Sequence, residues 1–180
     1  MQYGRRNALH DCDDAKMSVP PPIADAVQQT RVWLKELQKS AELPDEEAAL
    51  SVLRAVLHQL RDRLSVEEAV DLAAQLPTLV RGFYFEGWRP TKVPQKIHTK
   101  RKFLDQLTLK LLPRPIPPET AVTRVFALIA HHCDPGEISD VMGQMPAPLQ
   151  ELWPETARAF KKRREEEKAK RRARSAKSIG

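Results

Sequence analysis

The stretch DEEAALSVLRAVLHQLRDRLSVEEAVDLAAQLPTLVRGFYFEGWRP, residues 45–90, decides the fold, because a weaker form of it returns 69 positions later. Ser65-Val66-Glu67-Glu68-Ala69 lies over Asp134-Pro135-Gly136-Glu137-Ile138, and the register continues through Asp71 over Asp140, Gln75 over Gln144, Pro77 over Pro146 and Tyr84 over Trp153. Upstream, Leu53, Val56, Leu57, Leu60 and Leu64 fall over Val122, Val125, Phe126, Ile129 and Cys133. Those spacings are the apolar stripe of an α-helix written twice. Self-similarity at a fixed period indicates a duplicated unit. Two copies are too few for a solenoid, so the pattern predicts a pair of helical subdomains that bury their apolar faces together.

Composition agrees. The 180 residues are 41% hydrophobic, enough for one core plus tails. Only six glycines and few alternating β-branched runs argue against a sheet, while Leu, Ala, Glu, Gln, Lys and Arg fill the periodic segments. The fold class is therefore all-α: an internally duplicated domain of about eight short helices, followed by a charged C-terminal helix or tail. No run of eighteen apolar residues is present, and charges stand where a signal peptide needs its apolar core, so the expected location is cytoplasmic, with no membrane partner. Cys12 in a polar leader and Cys133 on an apolar helical face form no secreted-type disulfide framework.

Taken in order, residues 1–22 read as a disordered leader, with Met17 before SVPPP as a candidate initiator. Ile23, Val27, Leu34, Leu37 and Ala41 predict a first helix ending before Pro44, with Trp33 flanking its apolar face. Asp45 caps a second. Ser65-x-x-Glu68 is a capping box, in which the serine accepts from the Glu68 N–H while the glutamate reaches back to the Ser65 N–H. Pro77 opens a fourth helix that Gly87 ends, and Thr99 opens a fifth carrying Phe103, Leu104, Leu107 and Leu111. PRPIPP at 113–118 cannot be helical inside and reads as a stiff linker. The expected organisation is a first helical repeat over 23–112, a Pro-rich linker at 113–117, a shorter second repeat over 118–155 and a basic helix or tail over 156–180.

The net charge of +6 is localised rather than general. Residues 161–180 hold ten Lys or Arg against three Glu, so the remainder sums to −1. A second excess lies at 89–114, where eight basic residues face only Asp105. Lys161, Lys162, Arg163, Arg164, Lys168, Lys170, Arg171, Arg172 and Arg174 are thus candidates for a sequence-independent contact with nucleic-acid phosphates.

RAVLHQLRDRLSVEEAVDLAAQLPTLVRGFYFEGWRP, with VQQTRVWLKEL upstream, resembles the bacterial family catalogued as domain of unknown function 2267, over roughly residues 23–155. The resemblance implies a small cytosolic bacterial protein with a helical, internally duplicated domain, found alone or joined to other modules, and it supplies no catalytic residue. KRK at 100–102, PRPIPP and the basic tail depart from the family pattern.

Three constellations bear on chemistry. His131-His132-Cys133 groups metal-ligand types, but consecutive helical residues point about 100° apart whereas a helix presents ligand pairs at i and i+4, so no metal centre is expected. His58, Asp62 and Glu68 have no nucleophile beside them, and Glu68 is committed to capping, so neither a catalytic residue nor a cofactor is expected. Arg81, Phe83, Tyr84, Phe85, Trp88 and Arg89 have the composition of a binding hot spot. Phe83, Tyr84 and Phe85 are consecutive and cannot all face one way, so at least one is expected at the surface. The leading expectation is a non-enzymatic interaction module that binds a protein partner. A nucleic-acid-associated protein and an enzyme without a recognisable motif follow. The first calls for an exposed apolar patch, the second for steep salt dependence, and the third for a pocket with perturbed ionisable groups.

Overall fold

The computed structural model describes residues 19–97, 99–111 and 116–177. Cys12, Met17 and most of the 113–117 linker lie outside the described residues. Among those described are nine α-helices and one 3-10 turn: α1 Pro21–Ser40, α2 Glu46–Arg61, α3 Val66–Gln75, α4 Thr78–Phe85, the turn Pro90–Lys92, α5 Lys100–Leu111, α6 Pro118–His132, α7 Pro135–Gly143, α8 Ala147–Gln150 and α9 Glu155–Lys177. The protein is all-α.

The helix ends follow from local chemistry. Asp45 accepts from the Ala48 N–H at 2.7 Å, Ser65 from the Glu68 N–H at 3.2 Å, and Asp134 from the Gly136 and Glu137 N–H groups at 2.7 and 3.2 Å. Gly87 takes the left-handed conformation, φ 65°, just past α4. Pro118 is the first residue of α6, where its missing N–H leaves no donor stranded.

α2 and α6 pack on each other at the centre, α1 lies against α2, α4 and α6, and α5 spans α2 and α6. Every apolar pair matched at the 69-residue register is buried: Leu53 and Val122, Val56 and Val125, Leu57 and Phe126, Leu60 and Ile129, Leu64 and Cys133. Tyr84 and Trp153 are both inside, the latter stacked on Phe126 with centroids 4.2 Å apart. Polar links tie α5 to the centre, since Gln59 Nε2 donates to Phe103 O at 3.2 Å and Arg63 Nη2 to Gln106 Oε1 at 2.6 Å.

α3 packs on α7 through a reciprocal exchange. Gln144, past the end of α7, accepts from the Ser65 N–H at 2.7 Å and donates to Ser65 Oγ and Glu68 Oε2, each at 3.1 Å. Gln75, at the end of α3, accepts from the Asp134 N–H at 3.5 Å. The second half of the expected capping box is therefore replaced. Gln144, not Glu68, satisfies the Ser65 N–H, because a neutral acceptor from the facing helix already occupies that position.

One other expectation is corrected, and the C-terminal segment is defined further. Ile23 and Val27 are 54% and 42% exposed, whereas Trp33 is buried with Thr30, Leu34 and Leu37, because the first turns of α1 run clear of the helices that cover its second half. The charged C-terminal segment is helical through Lys177 and is not free along its length, since its first part packs on α7.

Candidate functional site

The aromatic segment is positioned by α2. Arg61, itself buried, donates to the carbonyls of Tyr84 and Glu86 and to Asp62 Oδ1, so three acceptors fix one guanidinium and hold the end of α4 on the core. His58 Nε2 lies 2.6 Å from Phe83 O, and burial lowers the His58 pKa even though that carbonyl favours the charged ring. The Arg54 guanidinium covers the Phe83 ring at 5.8 Å and forms an ion pair with Glu86.

This arrangement removes much of the expected hot spot. Tyr84 is fully buried, contrary to its place in a partner-binding set, because it follows Val80 by one turn on the core-facing side of α4. Phe83, Phe85 and Trp88 are half-buried, with Phe85 against Trp88 at 5.2 Å. Arg81 folds back over the end of α3, donating to Ala73 O at 2.8 Å and to Ala74 O and Leu76 O at 3.2 Å, so its charge serves carbonyls left open by the helix terminus. Arg89 is exposed. The aromatic composition is thus used mainly for packing.

A different surface stands out on α3. Val66 and Val70, one turn apart, are 43% and 48% exposed, and Glu67, Asp71 and Ala74 beside them are also exposed. The stretch of α7 69 positions on is contacted by α9, although Pro135, Asp140 and Gly143 remain exposed. There Arg164 Nη1 donates to Gly136 O at 2.8 Å and to Asp140 Oδ1 at 2.7 Å, and Lys168 approaches the same carboxylate at 3.9 Å. Ser139, which corresponds to Val70, is buried. Asp140 therefore has two cations, whereas no cation among the described residues pairs with Asp71.

Of the basic tail residues, Lys161 pairs with Glu165, and Arg164 and Lys168 pair with Asp140. Those three are committed within the chain. Lys162, Arg163, Lys170, Arg171, Arg172 and Arg174 are exposed and form no ion pair among the described residues.

Glu68 does not assemble with His58 and Asp62 into acid–base machinery; it faces α7. Cys133 is buried away from solvent, its thiol pushed up to about 12 by burial and then by Glu137. His131 and His132, however, are joined by a carboxylate that the sequence pattern did not bring forward, Glu36 of α1. A cleft of about 600 Å³ lies between residues 40–44 and the start of α6, lined by Leu43, Pro44, Ile116, Thr120 and Arg124. Ser40 and Glu42 line it too, with the Ser40 hydroxyl donating to Leu37 O at 3.3 Å.

These features define a small helical domain with covered aromatics, a bare apolar–acidic helix face and a half-docked basic helix. The chain belongs to the family of uncharacterized conserved proteins designated DUF2267, whose model matches residues 30–152. No curated relative matches the chain. None of the described helices is long and apolar enough to cross a membrane.

Proposed function

We propose that the protein is a non-enzymatic helical interaction module of the bacterial cytoplasm, and that the outer face of α3 receives a basic helix from a protein partner. The carrying observation is the contrast between two corresponding faces: a basic helix of the same chain packs on α7 and pairs with Asp140, and Ser139 is buried there, while Val66, Val70 and Asp71 on α3 are exposed and no helix of the described residues pairs with Asp71. The proposal treats α1–α4 and α5–α8 as two copies of one unit. α5 stands on α6 as α1 stands on α2. Arg81 and Gln150, 69 positions apart, bond to Leu76 O and Met145 O, which are likewise 69 apart, at 3.2 and 2.8 Å. This grouping places the start of the second copy in the loop before α5.

The chemistry of the occupant follows from the face. Two valines need small apolar residues opposite them, and Glu67 and Asp71 need an arginine or lysine about one turn further on. The α9 sequence has that character on the side it turns to α7. A labelled peptide of residues 155–177, titrated against the full chain and followed by fluorescence anisotropy, is expected to bind, with affinity weakened at least tenfold by Val70→Lys. Val27→Lys, on the exposed part of α1, is expected to leave it unchanged. Absence of binding, or binding indifferent to Val70→Lys, would refute this site; indifference would instead mark exchange with the bound α9 on α7.

A second reading rests on Lys162, Arg163, Lys170, Arg171, Arg172 and Arg174, which form no ion pair among the described residues and of which the last four lie beyond the docked part of α9. They would hold nucleic acid by its phosphates without reading sequence.

A further inference from the structure

α1 and α6 bring three metal-ligand side chains to one place on the surface. Glu36, in the last two turns of α1, lies against His131 and His132 at the end of α6, with Glu36 Oε2 2.7 Å from His132 Nε2. One donor atom from each of the three residues lies within 4.8 Å of the other two. We propose that Glu36, His131 and His132 form a three-ligand site for a divalent transition-metal ion of the zinc type.

The donor set is two imidazoles and one carboxylate, which leaves a fourth tetrahedral position for water and favours zinc or its neighbours over magnesium and calcium, whose preference is for oxygen. Donors bound at about 2.0–2.2 Å around a tetrahedral ion stand roughly 3.3–3.6 Å apart, so the widest separation must contract by about 1 Å while the Glu36–His132 pair, now hydrogen-bonded at 2.7 Å, opens by rather less. Rotation of the Glu36 and His131 side chains supplies this, because the Glu36 side chain is 42% exposed and His131 is exposed. His132 is already oriented, its ring stacked on the buried Trp33 with centroids 4.9 Å apart. The His131 ring meets it edge-on at 4.8 Å, so the two rings diverge as two ligands of one ion must. The free carbonyls at the end of α6 add a negative potential at the same point. Arg124 lines the adjoining recess with Glu36 and His131 and opposes a cation, so binding weaker than in closed structural zinc sites is expected.

Metal and proton compete for the imidazole nitrogens and the carboxylate, so affinity falls as pH is lowered. Calorimetric titration of the full chain with zinc chloride, at neutral and at mildly acidic pH, is expected to show saturable binding that weakens at the lower pH. His131→Ala and Glu36→Gln should each weaken it about tenfold or more. His131→Ala is the safer variant, since His131 is exposed and its ring forms no hydrogen bond among the described residues, and its thermal midpoint in chelator is expected to match that of the wild type. Cobalt substitution should give the intense visible bands of a four-coordinate ion, lost in His131→Ala. No zinc binding, or binding and cobalt spectra unchanged in both variants, would overturn the proposal.

Discussion

Glu68→Gln probes the electrostatics of the contact between α3 and α7. Glu68 and Glu137 face that contact from the two helices, with Asp71 and Asp140 nearby and with Arg164 and Lys168 drawn to Asp140. Glu68 Oε1 and Glu137 Oε1 are both buried without a hydrogen-bond partner. Burial first, then the charges of Glu137, Asp140 and Asp71, raise the Glu68 pKa from 4.5 to about 7, while the Gln144 hydrogen bond acts the other way. Burial and Asp71 also raise that of Glu137.

Because the folded pKa of Glu68 lies above the unfolded one, the native chain keeps a proton that the unfolded chain has released. Its contribution to stability is complete below the unfolded value and is lost as pH rises through about 7. A shift of this size corresponds to about 3 kcal/mol at full strength. Glu68 is only partly buried, so solvent screening reduces the expected effect to about 1 kcal/mol. His58 works in the opposite direction: its lowered pKa gives a contribution present at high pH and lost as pH falls. The informative quantity is therefore the difference between wild type and Glu68→Gln, measured by urea unfolding at pH 5 and pH 8. Glutamine keeps an acceptor for Gln144 but carries no charge. The variant should be more stable than wild type by about 1 kcal/mol at pH 8, with a much smaller difference at pH 5. A difference that is the same at both pH values, or a variant less stable at pH 8, would refute this account.

Leu57→Ala and Phe126→Ala, at corresponding buried positions, should each cost about 2 to 5 kcal/mol in urea unfolding, and near-zero effects at both would mean that the matched stripes are not the core. Arg164→Ala removes the bonds to Gly136 O and Asp140 and should speed tryptic cleavage within α9 while lowering global stability by only about 1 kcal/mol. Deleting residues 169–180, which spares that docking, should abolish duplex-DNA binding if the free cations act as a phosphate clamp. The full chain should then show a log–log salt slope between about −3 and −5, and equal binding by both chains would rule the clamp out.

The centre of the fold was legible because its determinants are local. Stripes repeating every three or four residues marked α2 and α6, and Asp45, Ser65 and Asp134 marked helix starts, since a cap needs only the next three residues. What failed depended on distance in the chain. Ile23 and Val27 continue the apolar spacing of Leu34 and Leu37, and no periodicity reveals where a helix leaves the body it packs on. The partner of the Ser65 N–H is Gln144, 79 residues away, so the capping box was correct for its serine and superseded for its glutamate. α9 has almost no apolar stripe, yet Arg164 anchors it through Gly136 O and Asp140, a contact made by charge and hydrogen bonding that hydrophobic patterning does not register.

Residue type alone was a weaker guide to the sites than to the fold. Phe83, Tyr84, Phe85 and Trp88 with Arg81 have hot-spot composition, but an aromatic on a short helix beside a large core gains more by packing inward, and an arginine near a helix end finds open carbonyls within reach. One signal was present for Arg81: it lies five residues past Leu76, close enough for a long side chain to return to the end of α3. For Val66 and Val70 the signal was the apolar residue itself, standing 69 positions before Pro135 and Ser139; comparison position by position at that register would have exposed the excess. The grouping of His131 and His132 with Glu36 had no such signal. The two histidines diverge on their own helix, as their spacing requires, and only the packing of α1 on α6 brings up a third donor, 96 residues from His132.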